Sequence, residues 1–266
     1  MQVAIEKTSF SREEFDSEAR EFADRRNLPR LFSFECRVCP VGSVCHDHLM
    51  SNTVGVVDAH TPGHDDLKRI LSAEPFAREV AISRGTPVPK AGGVYAWWFD
   101  ELPGDFDATG CIERDGSMLL YVGISPKAPP RNGWVASSQS LRSRINTHYT
   151  GNAAGSTLRL SLGSLLSSTL GIELRRFGSG DRLHFGVGER ELSRWMHEHA
   201  RVGWVVDEAP WELESRLFGK LVVPLNLDGN DHCGFHARMR EVRSAARVHA
   251  RALPVLPNPG AGGKYP

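Results

Sequence analysis

Two short apolar runs, separated by a glycine- and acid-rich connection, constrain this chain more than anything else in it. Residues 92–99 read GGVYAWWF, a strand entered through glycine. Period-two alternation puts Val94, Ala96 and Trp98 on one face and Tyr95, Trp97 and Phe99 on the other. Residues 118–125 read MLLYVGIS, and the same period gives Leu119, Tyr121 and Gly123 a common face. Pairing these runs as neighbours brings Tyr95 and Tyr121 out of one side of a small sheet. Two phenols beside a glycine that allows close approach mark a candidate site, although buried tyrosines are also common in strands.

Residues 202–206 (VGWVV) form a β-rich run suited to a third strand. A helix is expected over 141–148 (LRSRINTH), with Ser140 as its N-cap. Leu141, Ile145 and His148 face one way on it. Arg144 lies about 60° to the side of Leu141, where its stem can pack while its guanidinium reaches over the sheet edge. A structural ion pair explains that position equally well. Pro210 suits the first turn of a later helix. There Leu213, Leu217, Phe218 and Leu221 define an apolar stripe that includes Glu214 and leaves Glu212 facing solvent. A carboxylate among core positions requires a cation or a metal, so a buried salt bridge to arginine and a metal site both remain open.

Elsewhere, residues 9–28 show a capping-box spacing and a helical period. Cys36, Cys39, Cys45 and His48 are spaced C-x2-C-x5-C-x2-H, a zinc-ligand chemistry with an unusually short middle interval; reduced thiols in a loosely folded segment are the alternative. Met50 as the natural start would leave residues 1–49 outside the native chain. Residues 67–83 carry a weak helical pattern, and Pro87 and Pro89 then impose an extended segment. The connection over 100–117 is long and acidic. Lys127, Arg131, Arg142 and Arg144 cluster on and after a proline-stiffened loop, suited to phosphate contact or simply to solvation. Helices are expected over 158–170 and 191–200, and the GSG and GVG triplets read as turns. Asp228-Gly-Asn is turn chemistry, and the spacing of His232, Cys233 and His236 is not specific to a metal. Residues 237–253 form a helix with Arg240, Arg243, Arg247 and Arg251 along one flank, either a phosphate-tracking face or a solvated one. Residues 231–266 hold six Lys/Arg and two acids, a net of +4.

With 266 residues and 40% hydrophobic content, the chain can bury one sizeable core. Thirty-two acidic and 32 basic residues give no whole-chain nucleic-acid signature, so any DNA affinity must be local. No run approaches the ~18 apolar residues of a membrane span, and the acidic N-terminus is not a signal peptide. Five cysteines without a disulfide framework fit a reducing cytoplasm.

Taken in order, G-V-Y at 93–95, Y-V-G at 121–123, L-x-x-R-I-x-x-H at 141–148, Glu214 with Leu217-Phe218, and Pro224-Leu-Asn226 resemble the GIY-YIG nuclease family over roughly residues 90–230. The resemblance implies a compact α/β (α+β) domain around a small three-stranded mixed sheet flanked by helices. It also implies a Mg²⁺-dependent (or Mn²⁺-dependent) DNA endonuclease. Tyr95 would then be the general base, Arg144 the contact to the scissile phosphate and Glu214 the metal ligand. Tyr121 would orient water or phosphate, Asn226 would support the site, and His148 matches a position often held by histidine. An unperturbed tyrosine, with a pKa near 10, is a poor base at neutral pH, so a neighbouring cation would have to lower it. Ile124 stands where relatives frequently carry lysine, and the interval between Arg144 and Glu214 is longer than a minimal domain needs.

The expected organisation is an N-terminal extension (1–50), a helical linker (51–89), the nuclease-like domain (90–230), a basic helix (231–253) and a disordered tail (254–266). A nucleic-acid-binding domain that keeps this fold without cleavage is the alternative. One active site per chain leaves dimerisation as one route to double-strand cuts.

Overall fold

The computed structural model describes residues 64–130 and 137–258. The helix expected over 9–28, the Cys36/Cys39/Cys45/His48 cluster and Arg131 lie outside the described residues.

Strand β2 (Gly93–Phe99) is the centre of the molecule, and all seven of its residues are buried. Such a strand needs a cover on both faces, and its alternation supplies apolar groups to each. Tyr95, Trp97 and Phe99 enter one core, and Val94, Ala96 and Trp98 enter the other. On either side of β2 lie β4 (Ser117–Ser125) and β7 (Ala200–Val206), both antiparallel to it. Two-residue strands β1 (Phe76–Ala77) and β3 (Glu113–Arg114) complete the order β1-β7-β2-β4-β3. The sheet therefore has five strands and is wholly antiparallel, not three-stranded and mixed. The central three are those expected from the sequence, and the two additions are short edge pairings too brief to show a period.

Two local devices escaped the period-two reading. Trp97 pairs with Tyr121 but Trp98 pairs with Leu119, so the register shifts between them. This bulge puts Leu120 and Tyr121 in the same core while Leu119 turns to the other, so Leu119 and Tyr121 do not share a face. Asp115 and Gly116 both have positive φ, 51° and 74°, and join β3 to β4 as a two-residue hairpin turn. The Asp-Gly pair inside the long acidic connection was the sequence signal for it.

Helices cover both faces. On one lie α1 (His64–Ser72) and α7 (Pro210–Leu217), packed on each other and on the sheet. Asp66 of α1 accepts from Arg216 Nε of α7 at 2.6 Å. The pattern expected through residue 83 ends at Ser72, beyond which β1 and the one-turn α2 (Arg78–Ala81) follow. Residues 64–77 thus furnish a helix and an edge strand to this layer. On the other face lie α3 (Leu141–Thr150), α4 (Thr157–Leu165), α6 (Glu189–His199) and α8 (His236–Ala252). A short helix α5 (Ser167–Leu170) and the hairpin β5 (Arg175–Phe177) and β6 (Arg182–His184) connect α4 to α6. Leu256 bonds to this hairpin, so residues 254–258 continue the ordered chain past α8.

Within the larger core sits one fully buried ion pair. Arg159 of α4 donates to Glu189 Oε2 through Nε at 2.8 Å and Nη2 at 2.6 Å. Its other donors reach the His148 and Tyr149 carbonyls that end α3, at 3.1 and 3.3 Å. Glu189 Oε1 accepts the backbone N–H groups of Ala153 and Phe185 at 2.9 and 3.0 Å. Removing one partner leaves a desolvated charge together with orphaned backbone groups. Arg159→Ala should lower unfolding free energy by about 3–5 kcal/mol, read from urea unfolding at fixed pH. A loss below ~1 kcal/mol, the scale of an exposed pair, would show that the pair is not acting as a buried one.

Candidate active site

Beside β4 lies a cleft of about 640 Å³ between the sheet, α3, α7 and α8. Tyr95, Tyr121, Arg144, Glu214 and Asn226 all line it, as do Lys127, Arg243 and Arg247. Residues distant in sequence thus meet on one surface.

Tyr95 stands opposite Gly123 in the β2–β4 register. A Cβ on Gly123 would come within 2.5 Å of the Tyr95 hydroxyl, so the glycine is what lets the phenol lie across β4. The hydroxyl meets His148 Nε2 at 2.8 Å and accepts from Arg144 Nε at 3.3 Å. His148 Nδ1 meets Ser156 Oγ at 2.7 Å, and that hydroxyl also accepts from the Arg159 backbone N–H as the N-cap of α4. The Tyr95–His148–Ser156 chain is fully buried at its centre.

Burial dominates the electrostatics. It drives the Tyr95 phenol well above its ordinary value, with Tyr121 adding to the rise and Arg144 opposing it. The adjacent cation therefore does not make Tyr95 a resting phenolate. Burial also holds His148 well below its usual value, with Arg144 and Arg159 adding to the effect, so the imidazole is neutral.

Arg144 has no acidic partner among the described residues; besides Tyr95 it donates to the Gly155 carbonyl at 2.8 Å through Nη1. Tyr121 also acts on this guanidinium, whose remaining surface lines the cleft. Tyr121 meets Thr157 Oγ1 at 3.0 Å, and its ring stacks at 6.5 Å from that of Tyr95.

Helix α7 presents Trp211 and Glu214 to the cleft at i and i+3, and Phe218 just past its end joins them, while Leu213 and Leu217 enter the core below. Pro210 occupies its first turn, and the helix closes at Leu217, leaving Leu221 beyond it. No ion pair to Glu214 occurs among the described residues, so the salt-bridge explanation does not apply within them. Desolvation pushes its carboxyl up to about 7, with Lys127 opposing and Asp228 adding to the shift.

Asn226 has a different task. Its Oδ1 accepts from the Val122 N–H at 3.0 Å and its Nδ2 donates to the Val122 carbonyl at 2.7 Å. The side chain completes the backbone pairing of β4 and fixes the loop carrying Asp228.

The remaining predicted cations divide. Arg243 is buried and borders the cleft with Arg247, whereas Arg240 is exposed and does not line it. Arg142 turns away, its Nε donating to the Val88 carbonyl at 2.7 Å. No residue of the acidic connection over 100–117 lines the cleft; Phe106 instead packs at a tilt against Phe235, with ring centroids 4.5 Å apart. Ser156, Thr157, Arg159 and Glu189 were missed by the sequence reading. Ser156 had a legible signal as the N-cap of α4; the buried ion pair had none.

The paired tyrosines thus lie on a sheet with the Arg144 helix over one face and the Glu214 helix over the other. Residues 93–245 match the family described as the GIY-YIG catalytic domain, and the chain belongs to this family. It therefore contains a nuclease domain whose substrate is nucleic acid. No curated protein and no solved structure matches the chain. Among the described residues no helix is long and apolar enough to cross a membrane.

Because Glu214 binds its proton more tightly folded than unfolded, its ionisation opposes folding. Stability should fall as pH rises from the unfolded value near 4.3 through about 7. Glu214→Gln should therefore be more stable than wild type at pH 8, by on the order of 2 kcal/mol, and nearly equal at pH 4. Thermal melts across that range check the sign.

Proposed function

We propose that this chain is a divalent-metal-dependent DNA endonuclease, with Tyr95, Arg144 and Glu214 at the reacting phosphodiester. The observation that carries the reading is the meeting of a protonated phenol, a partly free guanidinium and a desolvated carboxylate in one cleft.

Glu214 fits a metal ligand: its carboxylate is withdrawn from water, has no ion-pair partner among the described residues and holds a proton to about neutral pH. No group of three or more His, Cys, Asp or Glu able to hold a metal occurs among them. That favours Mg²⁺ or Mn²⁺, which are satisfied by one or two carboxylates and water, over zinc in this cleft. Such a cation, held by Glu214, would supply positive charge to the phosphodiester.

Arg144 binds the phosphate through the part of its fork not used on Tyr95 and Gly155. Because Tyr95 Oη also receives Arg144 Nε, the phenol and the bound phosphate share one orienting group. As the water oxygen bonds to phosphorus and the P–O bond to the leaving oxygen breaks, Tyr95 takes the proton of the water while passing its own to His148 Nε2, and the released alkoxide takes a proton from solvent. His148 is available because it is neutral, and Ser156 holds its ring in line. Burial makes the imidazole a weak base, so it keeps the proton only while negative charge is developing nearby. Tyr121 and Thr157 position the phosphate or water, and Lys127, Arg243 and Arg247 bind the flanking backbone.

Plasmid and branched DNA incubated with Mg²⁺ or EDTA test this reading. Glu214→Gln and Arg144→Ala should each lower cleavage by at least roughly 10²-fold. Unchanged cleavage by Glu214→Gln would reject the assignment, and Mg²⁺-insensitive DNA binding without turnover would favour a binding domain. Apparent Mg²⁺ affinity, measured by titration calorimetry, should weaken as pH falls through about 7, because protonated Glu214 cannot ligate.

A further inference from the structure

The cleft has two chemically distinct walls. Arg144, Thr157, Arg243 and Arg247 line one side with cations and a hydroxyl. Arg243 is a buried cation whose Nε has no hydrogen-bond partner, and no ion pair to it occurs among the described residues. A desolvated guanidinium left in this way calls for an anion from outside the fold. Around Glu214 the lining is largely apolar and aromatic, formed by Trp211, Phe218 and Ile124, with Lys127 as the cation near the carboxylate.

The Trp211 and Phe218 rings of this second region offer flat apolar faces, not charge, to a ligand. Trp211 is half-buried and precedes Glu214 by three residues on the same face of α7, an offset of about 4.5 Å along the helix axis. An indole beside the carboxylate, facing a phosphate-binding wall, is placed to receive the base belonging to a bound phosphate. Base–aromatic stacking requires an exposed base face, which a paired base inside a duplex does not offer.

We propose that the cleft takes an unpaired nucleotide: its base stacks on Trp211, while its phosphates lie against Arg144 and Arg243. Trp211 is then a specificity-determining residue, selecting single-stranded, frayed or flap DNA over continuous duplex. This rests on the reading of the cleft as the phosphodiester site, and it deepens that reading by naming the substrate class.

Binding measured in EDTA separates the two. Fluorescence anisotropy would follow three labelled DNAs: a single strand, a duplex ending in a single-stranded flap, and a blunt duplex. The proteins would be wild type, Trp211→Leu and Trp211→Phe, each checked for an unchanged melting temperature. Trp211→Leu keeps apolar bulk without an aromatic face, and Trp211→Phe keeps a smaller one. The expected result is a roughly 5- to 150-fold loss for Trp211→Leu on DNA carrying unpaired bases. Blunt-duplex affinity should be unchanged, and Trp211→Phe should retain most of the binding. A loss on both the single strand and the flap identifies any unpaired nucleotide as the ligand, and a loss on the flap alone identifies the junction. Equal losses on all three DNAs, or none, would overturn the proposal. Absence of Mg²⁺-dependent cleavage by wild type, with the Trp211 effect intact, would instead remove the nuclease reading and leave a binder of unpaired nucleotides.

Discussion

The buried pair of Arg159 and Glu189 is the contact on which the site depends. It is withdrawn from water, and its hydrogen bonds run to backbone on several separate segments. Arg159 gathers the carbonyls that end α3, and Glu189 gathers the N–H groups of Ala153 and Phe185. The turn between α3 and α4 is held between them. That turn carries the Gly155 carbonyl, which takes one donor of Arg144, and the Ser156 hydroxyl, which holds His148. An ion pair that adds little net stability against an apolar replacement can still fix the geometry of the groups that line the cleft.

The site uses burial in two opposite senses. On the sheet side it keeps Tyr95 protonated and His148 neutral, so the hydrogen bond between them carries a proton without a resting charge. On the α7 side it raises the Glu214 carboxyl, which keeps its proton to about neutral pH. Arg144 stands between the two regions and contributes a permanent charge. The low effective dielectric that makes each ionised group expensive alone also strengthens the interaction of any one of them with an opposite charge entering the cleft.

The central strands, their facing sets and the placement of Glu214 were legible because they follow from periodicity. Residues 92–99 alternate without interruption, and the structure sends those two sets to opposite cores. Glu214 was separable from Glu212 because a helix of 3.6 residues per turn puts only one of them beside Leu213 and Leu217. Where periodicity stops, the reading failed. The β4 bulge reverses Leu119 relative to Tyr121, and a two-residue strand such as β1 has no period to detect.

The sequence by itself determined the three main strands, the capped helix α3, the helix beginning at Pro210 and the residue types available for phosphate chemistry, since these depend on neighbours a few positions apart. Only the tertiary structure decided what those residues do. It showed that Arg243 enters the cleft while Arg240 does not, that Arg142 turns to Val88, and that Asn226 completes a strand. It also paired Arg159 with Glu189 across 30 positions. The reason is physical: desolvation and hydrogen-bond partners depend on which distant segments come together, and local spacing carries no record of that.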